Sequence, residues 1–361
     1  MGFKCGIVGL PNIGKSTLFN ALTSTMMAEA ANYPFCTIEP NIGRVSVPDE
    51  RLRKLAEIAS SAKIIPTQLE FVDIAGLVRG ASKGEGLGNQ FLSHIREVDA
   101  ILHLTRCFIN KDVTHVENSI DPLRDDEIIT TELILADMES LDKRLPNMEK
   151  KAKGDAEIKA HVELIKQVYP LLAAGKPARE YATTPEKAEA LKSLQLITSK
   201  PVMYVCNVEE ENAATGNELS DKVKAAKGDA VIISAAIEAE VASLGDEEEK
   251  KEFLASLGLK ETGLSSVIRA GYKLLDLITF FTIGPKEAHA WTVRNKSTAP
   301  AAAGEIHTDF MKGFIRAETI SSDDYIKYNG EQGAKEAGKL RLEGKDYVVK
   351  DGDIFHFRFN V

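Results

Sequence analysis

The chain has 361 residues and a formal net charge of −9 at pH 7; 43% of its residues are hydrophobic and 27% are charged. This composition is that of a soluble globular protein, and the length exceeds one typical core, so we expect two or three domains. No apolar run is long enough to span a membrane and a strand begins directly after the first residues, which predicts a cytoplasmic protein without a signal peptide. The acidic total argues against nonspecific nucleic-acid binding by the whole surface, but it allows local basic patches.

The first predicted strand covers residues 3–10, and an amphipathic helix is predicted for residues 16–23. Between them the chain reads G-x-x-x-x-G-K-S from Gly9 to Ser16. This order of strand, glycine-rich loop and helix predicts a P-loop, in which backbone N–H groups and the helix N-terminus face a phosphate. Gly14 permits the tight backbone path, Lys15 is expected to reach the β and γ phosphates, and the Ser16 hydroxyl is expected to bind Mg²⁺.

Further short apolar runs predict the strands of an α/β fold with a parallel sheet covered on both faces. These runs occupy residues 45–47, 69–75, 100–105, 202–208 and 231–235. The long gap between the runs at residues 100–105 and 202–208 contains two series of apolar residues with 4-3-4-3 spacing, which predict an inserted antiparallel helical hairpin. The series are Ile134, Met138, Leu141, Leu145, Met148 and Ile158, Val162, Ile165, Tyr169, Leu172.

The pattern changes after residue 277 to short mixed segments, including the alternating phenylalanines of residues 354–359. These segments predict a small α+β domain. The sequence therefore predicts three parts. They are a nucleotide-binding P-loop domain at residues 1–130 and 199–277, an inserted helical domain at residues 131–198, and a C-terminal domain at residues 278–361.

The predicted strand at residues 69–75 contains the sequence D-x-x-G at Asp73–Gly76. Ligands of open α/β sheets bind at the carboxyl ends of the strands, where this motif lies. We expect Asp73 to hold Mg²⁺ through a water and the Gly76 N–H to meet the γ-phosphate. Thr37, between the first helix and the second strand, is placed to give Mg²⁺ a second hydroxyl ligand.

Selectivity for the base is predicted from Asn207-Val208-Glu209-Glu210, where guanine-selective proteins carry N-K-x-D. Val208 replaces the lysine and the longer Glu210 replaces the aspartate, so the paired guanine contact is expected to be lost. Asn207 can still pair with the N6 and N7 edge of adenine. Ser234, at the end of a later strand, begins a segment that resembles the loop closing over the base. The sequence thus favours ATP over GTP.

The hydrolytic step has no evident agent, because Leu77 follows the D-x-x-G motif where many GTPases have a glutamine that orients water. Either another residue enters when the site orders, or hydrolysis is slow until a partner assists. His115, in a polar stretch beyond a strand end, is the best intrinsic candidate. An isolated loop histidine is more often a bystander than a catalytic residue.

The cysteines have neither metal-ligand spacing nor disulfide density. Cys5, Cys107 and Cys206 lie in apolar runs and are expected to be reduced core residues, whereas Cys36 lies in a predicted loop, where a redox-sensitive thiol and an inert one are both open. Two basic clusters are either solvated surfaces or docking sites. They are Lys143, Arg144, Lys150, Lys151, Lys153 near the hairpin tip and Lys335, Lys339, Arg341, Lys345 in the C-terminal domain.

These motifs together resemble the Obg-like ATPases, the YchF subfamily of translation-factor-related P-loop NTPases, over essentially the whole chain. The matching segments are residues 9–17, 32–41, 73–92, 207–210 and 299–361. The resemblance implies a P-loop domain, an inserted helical domain and a C-terminal TGS domain of β-grasp type. It also implies association with the ribosome, an RNA-containing partner.

The resemblance implies site residues as well. Phosphate contacts are expected from Asn12, Ile13, Gly14, Lys15, Ser16 and Thr17, Mg²⁺ ligands from Ser16 and Thr37, and adenine contacts from Asn207 and the Val208 backbone. His115 aligns with the histidine that is proposed to be catalytic in the family.

The leading interpretation is a Mg²⁺-dependent ATPase switch that acts on the translation machinery. A GTPase of the same fold is the alternative within this class, and the choice depends on Val208 and Glu210. A different class is a nucleotide-gated binding module whose hydrolysis is incidental, which Leu77 supports. The oligomeric state is open, with a monomer expected.

Overall fold

The computed structural model describes residues 3–30, 42–74, 87–110 and 119–360. The strands within these ranges are β1 Phe3–Val8, β2 Ile42–Ser46, β3 Ile64–Ile65, β4 Gln68–Asp73, β5 Ala100–Arg106, β6 Val202–Asn207, β7 Ala230–Ile233, β8 Leu277–Ile283, β9 Ala288–Arg294, β10 Phe314–Ser321, β11 Arg341–Glu343 and β12 Asp353–Phe359. The first helices are α1 Lys15–Ala30, α2 Glu50–Ala59, α3 Leu87–Glu97, α4 Pro122–Lys151, α5 Ala156–Ala173, α6 Pro185–Lys192 and α7 Glu218–Lys227. The later helices are α8 Ala235–Ser243, α9 Glu247–Ser256, α10 Gly263–Leu274, α11 Ala299–Ile306, α12 Thr308–Lys312, α13 Ser322–Lys327 and α14 Glu331–Glu336.

A six-stranded sheet with the order β2-β4-β1-β5-β6-β7 forms the centre of the first part of the chain. β1, β5, β6 and β7 run parallel to their neighbours in this set. β5 is buried along its whole length, as its continuous apolar run requires when helices cover both faces. The predicted parallel pairing is therefore confirmed for β1, β5, β6 and β7, and the carboxyl ends of these four strands lie at one edge.

Helices α4 and α5 form the predicted antiparallel hairpin. Their facing apolar residues share one core with the segment that follows α5; its members include Ile134, Leu141, Ile165, Val168, Leu172, Leu191 and Leu196. Asp155 caps α5 by accepting hydrogen bonds from the backbone of its first turn. α4 begins at Pro122, nine residues before the predicted boundary at 131, because Asp121 caps it and proline occupies its first turn.

The N-terminal part of α4 is held to the sheet by a buried ion cluster, which we call the Asp126 cluster. The Asp126 carboxylate lies 3.0 Å from His103 Nδ1 on β5 and 2.5 Å from Lys227 Nζ at the end of α7. Tyr204 of β6 stacks on the His103 ring. Burial alone raises the pKa of Asp126, but its hydrogen bonds to His103 and Lys227 outweigh burial and hold that pKa well below its usual range.

Backbone contacts divide the described chain into two compact units. One unit contains residues 3–44 and 70–271, and the other contains residues 45–69 and 272–360. The helical hairpin falls within the first unit. In the second unit the strand order is β11-β10-β12-β8-β9-β3, and the chain after residue 277 contains both strands and helices, as expected of the predicted α+β domain.

Residues 45–69 differ from the sequence-based domain division, which assigns them to the P-loop domain. β3 pairs in parallel with β9, and α2 turns its apolar face, with Leu52 and Leu55, toward a core that contains Phe281 and Ile354. Contiguity in sequence suggested one domain, whereas burial of this amphipathic face places the segment with the C-terminal sheet. Among the described residues no helix is long and apolar enough to cross a membrane.

Candidate nucleotide-binding site

The loop between β1 and α1 follows the path predicted for a P-loop. Asn12 and Gly14 both have positive φ angles, 61° and 92°, and the Leu18 N–H closes the first helical bond to the Gly14 carbonyl at 2.9 Å. Ile13 is buried and anchors the loop, whereas Ser16 and Thr17 are exposed at the start of α1. The predicted phosphate-binding residues are thus displayed at the carboxyl end of β1.

Lys15 and Asp73, which the sequence predicted at the same edge of the sheet, are in direct contact. The Lys15 ammonium donates to Asp73 Oδ1 at 2.5 Å and to the Ile74 carbonyl at 2.8 Å. Both side chains are largely buried, so the attraction between their charges is screened less than on the surface. The end of β4 is thereby tied to the P-loop through the residue expected to bind phosphate.

A cavity of about 930 Å³ opens beside the P-loop, which is within the range of ligand pockets. Four segments that end or follow strands of the sheet line it. Their residues are Asn12, Gly14, Thr17 of the P-loop, Phe108, Ile109, Asn110 after β5, Asn207, Val208, Glu209, Glu210, Glu211 at the end of β6, and Ser234, Ala235, Ala236 after β7, with Leu257 from α9's C-terminal end. The structure therefore brings the predicted phosphate and base segments together.

Asn207 has partners other than the adenine edge that the sequence predicts for it. Its Nδ2 donates to the Ile13 carbonyl at 2.9 Å, and its Oδ1 accepts from the Ala235 N–H at 2.9 Å. The residue is only 4% exposed. A Cβ on Gly14 would lie 2.3 Å from Asn207 Nδ2, so the close approach requires glycine. The Asn207 amide thus clamps the P-loop to the segment after β7.

The neighbouring predicted base residues are placed as follows. The Val208 N–H donates to the Ile233 carbonyl at 2.9 Å, so a base contact from this backbone has to use the Val208 carbonyl. Glu210 begins a short 3₁₀ turn and is exposed at the cavity. Ser234 is buried at the N-terminus of α8, where its carbonyl accepts the first helical bond.

Glu209, to which the sequence assigned no role, organises the mouth of the cavity. Its carboxylate accepts a 2.5 Å hydrogen bond from the Ile109 N–H and a longer one, 3.4 Å, from Asn217 Nδ2. Asn217 also donates to the Cys107 carbonyl at 2.7 Å. Glu209 and Asn217 therefore fix the segment after β5 against the segment after β6.

Arg106 supports the same wall from within the sheet. Its buried guanidinium bonds to the carbonyls of Phe108 and Asn110 at 3.3 and 3.1 Å and lies over the Phe108 ring. Burial lowers the pKa of Arg106. The signal that could have identified this wall is position alone, because residues that follow parallel strands meet at one edge.

Five residues named in the sequence analysis lie outside the described residues, so their expected roles stay predictions. They are Thr37, Gly76, His115, Leu77 and Cys36. Among the described residues no cluster of three or more histidine, cysteine or acidic side chains could hold a metal. The described magnesium candidates are instead the exposed Ser16 hydroxyl and the Asp73 carboxylate. These are oxygen donors of the kind that Mg²⁺ takes when phosphates complete its shell.

The sheet order, the P-loop and the adjoining cavity define a P-loop nucleotide-binding protein of the α/β class. Family models agree with this assignment. One described as a 50S ribosome-binding GTPase matches residues 4–137. A second, for the C-terminal part of YchF GTPases and described as a protein of unknown function, matches residues 277–360.

Relatives match over the full length and define the family more closely. A protein named ribosome-binding ATPase YchF from Haemophilus influenzae is 58% identical, and one of the same name from Bacillus subtilis is 51% identical, each over 100% of both chains. The solved structure of the Schizosaccharomyces pombe YchF GTPase is similar with a TM-score of 0.87 and 39% identity, covering 99% of this chain and 98% of that one. The chain belongs to the YchF family.

Proposed function

We propose that this protein is a Mg²⁺-dependent nucleotide hydrolase that prefers ATP to GTP and acts on the ribosome in the cytoplasm. The observation that carries the proposal is the cavity that joins the P-loop to the ends of β6 and β7. A nucleotide placed there has its phosphates at Asn12 to Thr17 and its base near Asn207 and Ser234. The names of the bacterial relatives support both the hydrolysis of ATP and the ribosome as partner.

The preference for ATP is argued from what the cavity offers a purine. Guanine presents an N1–H and a 2-amino group, which need a carboxylate held in their plane. Glu210 stands at the position of that carboxylate, with a longer side chain on an exposed 3₁₀ turn. Phe108, Ile109 and Leu257 supply apolar surface against which the adenine ring can pack, and the Val208 carbonyl is the proposed acceptor for its 6-amino group. An unsatisfied guanine donor costs about 1 to 3 kcal/mol, which favours ATP by about fivefold to a hundredfold.

The residues around the phosphates each have a proposed role in binding or hydrolysis. Lys15 places its ammonium beside the phosphates, Ser16 and Asp73 with Thr37 are the proposed Mg²⁺ ligands, and the Gly76 N–H is proposed to meet the γ-phosphate. Bound Mg²⁺ neutralises charge on the β and γ phosphates. For hydrolysis we propose that His115 orients the attacking water, the role that Leu77 cannot fill.

Two alternatives differ from this proposal in one property each. The Schizosaccharomyces pombe relative is described as a GTPase, which keeps a guanine-selective enzyme of the same fold as the second candidate. A nucleotide-gated binding module would bind nucleotide and ribosome with negligible turnover.

We also propose that the chain has an inserted helical domain and a C-terminal TGS domain. Residues 45–69 pack in the same compact unit as the proposed TGS domain.

The ribosome is proposed to bind a smaller basic surface than the sequence suggests. Lys150, Lys151 and Lys153 are exposed at the hairpin tip. Arg144, however, donates to the Leu194 carbonyl, and Arg341 pairs with Glu343 and Asp353. These two arginines are engaged within the chain, so we assign docking to the lysines and omit the arginines.

Turnover of ATP and GTP with and without ribosomes tests the proposal. We expect ATP turnover, a weaker affinity for GTP, and a change on adding ribosomes. Equal affinities would refute the preference for ATP, a higher affinity for GTP would favour the GTPase, and binding without turnover in either condition would favour the binding module. Co-sedimentation with ribosomes across a salt series tests docking, because each phosphate contact makes binding fall by about 0.7 to 0.9 log units per tenfold rise in salt.

A further inference from the structure

Two buried cysteines, Cys107 and Cys206, lie side by side, and each immediately precedes a residue that lines the cavity, Phe108 and Asn207 respectively. Cys206 is in β6, and Cys107 follows the last residue of β5. The Cys107 N–H donates to the Asn207 carbonyl at 2.8 Å, and the Thr105 hydroxyl lies 3.7 Å from each of the two sulfur atoms. Both side chains are fully buried in one small apolar core with Val208 and Val223. Two neighbouring strands therefore present their thiols to one another.

The two thiols are not equivalent. The hydrogen bond between them is the largest cause that raises the pKa of Cys107 and lowers the pKa of Cys206. Burial raises both, and the Thr105 hydrogen bond and the charge of Lys224 favour the Cys206 thiolate further. Cys206 is thus the group that ionises first, with the Cys107 S–H as its donor. Such an arrangement of a thiolate with a neighbouring thiol is suited to oxidation in two steps.

Cys5 is the matched comparison within the chain. It is also buried in the same sheet, on β1, and burial with the nearby Asp99 raises the pKa of its thiol to about 12. Its hydrogen bonds and charges include no second thiol. Burial and a nearby carboxylate therefore give an inert thiol at Cys5, and the pair differs from Cys5 in having a second thiol as partner.

The pair is joined to the cavity through two backbone connections. Cys206 precedes Asn207, whose amide clamps the P-loop to the segment after β7. The Cys107 carbonyl accepts the Asn217 hydrogen bond that helps to hold the cavity mouth. A covalent bond between the sulfur atoms would change the spacing of these segments. It would therefore act on the residues that shape the cavity.

We propose that Cys107 and Cys206 are a redox site that a hydroperoxide converts to a disulfide, and that the bridge weakens nucleotide binding in the adjoining cavity. The Cys206 thiolate attacks the terminal oxygen of the hydroperoxide, the O–O bond breaks, and the alkoxide takes up a proton and leaves as an alcohol. Cys206 is then a sulfenic acid. Cys107 loses its proton and attacks that sulfur, and hydroxide leaves and combines with the proton as water. Two thiols and one hydroperoxide give one disulfide, one alcohol and one water.

Because both sulfur atoms are buried, the oxidant reaches them when the cover of the pair opens locally. The cover includes Val208, Leu219 and Val223 from the end of β6 and from α7. Oxidation is therefore slow, and ATP slows it further because a bound ligand stabilises the closed form. This protection and the loss of affinity rest on the proposed nucleotide site. Formation of the disulfide does not.

The test uses the full chain with Cys36→Ser, which leaves three of the four cysteines. The protein is treated with hydrogen peroxide, denatured, alkylated and digested, and mass spectrometry searches for the linked Cys107 and Cys206 peptides. ATP affinity is measured before oxidation, after it, and after reduction by dithiothreitol. Cys206→Ser and Cys107→Ser in the same background are the matched variants. If a serine variant folds poorly, the protein that keeps both Cys107 and Cys206 gives the same information, through recovery of its ATP affinity after reduction by dithiothreitol.

We expect alkylatable thiols to fall from three to one with Cys5 left free, and the dissociation constant for ATP to rise about threefold to tenfold, the equivalent of one hydrogen bond. Dithiothreitol should restore both values, and neither serine variant should respond to peroxide in this way. Absence of the linked peptide after peroxide would overturn the redox site. A linked peptide with unchanged ATP affinity would overturn the effect on binding. If the untreated protein binds no ATP while the disulfide still forms, the proposed function fails and the redox site stands.

Discussion

Replacing Asn207 by alanine should separate the clamp that the structure assigns to this residue from a mere base contact. The side chain satisfies two backbone groups, the Ile13 carbonyl and the Ala235 N–H, each at 2.9 Å, in a place where Asn207 is 4% exposed. Leaving one buried group unsatisfied costs about 1 to 3 kcal/mol. Water from the cavity can reach one of the two, because Asn207 and Ala235 both line it. We therefore expect Asn207→Ala to lower the free energy of unfolding by about 1 to 3 kcal/mol.

The same change should weaken ATP binding by about tenfold, since the P-loop loses its tie to the segment after β7. Urea unfolding gives the stability and titration with labelled ATP gives the affinity. Asp137→Ala is the matched control, because Asp137 is equally buried and accepts hydrogen bonds from Ile197 and Thr198 at the base of the hairpin. Asp137→Ala should also lower the free energy of unfolding. Any rise in its dissociation constant for ATP should be no larger than the loss of folded protein explains. The clamp argument is refuted if Asn207→Ala unfolds at the same urea concentration as the parent, or if both variants weaken ATP binding to the same extent.

The remaining predictions concern four residues. Lys15→Ala should abolish Mg²⁺-nucleotide binding while the circular dichroism of the fold persists; normal ATP hydrolysis by the variant would remove it from the site. Glu209→Ala should raise the dissociation constant for ATP several-fold by freeing the segment after β5, with the exposed Glu240→Ala unchanged in the same titration. His115→Ala should lower turnover without weakening ATP binding, because orienting water acts on the transition state only; unchanged turnover would leave it a bystander. Basic neighbours hold the pKa of buried Asp126 low, so its contribution to stability is present above about pH 4 and is lost on acidification. The urea midpoint of Asp126→Asn should therefore fall less steeply than that of the parent as the pH is lowered. An equally steep fall in the variant would contradict this.

The phosphate end of the site was predictable because its geometry is encoded locally. Gly14, Lys15 and Ser16 must stand at fixed offsets between a strand and a helix, and the sequence shows those offsets directly. Asp73 follows from a second local rule, since a polar residue at the end of a buried strand reaches the same edge. The parallel strands themselves are visible as continuous apolar runs.

The base end was predictable in position but not in the roles of its residues. Asn207 bonds to a carbonyl 194 residues away in sequence, and Glu209 to an N–H that is 100 residues away. An amide or carboxylate can serve a ligand or a neighbouring backbone equally well, since the same donors and acceptors are used. Only the fold decides between these two roles. In this structure Asn207 and Glu209 bond to backbone groups of the cavity walls. The same limit applies to Arg144 and Arg341, which the sequence counted as free surface charge.

The segment of residues 45–69 shows why contiguity is a poor guide to domains. The chain leaves the first unit after Arg44 on β2 and returns at Glu70 on β4, and these strands are neighbours in the sheet. Arg44 Nε lies 2.8 Å from Glu70 Oε1, so an ion pair holds the two crossing points together. An excursion with its ends fixed side by side can pack elsewhere without disturbing the strands that bound it. Glu70 is three residues before Asp73, so the point where the chain returns to the first unit and the proposed Mg²⁺ ligand lie on one strand, β4.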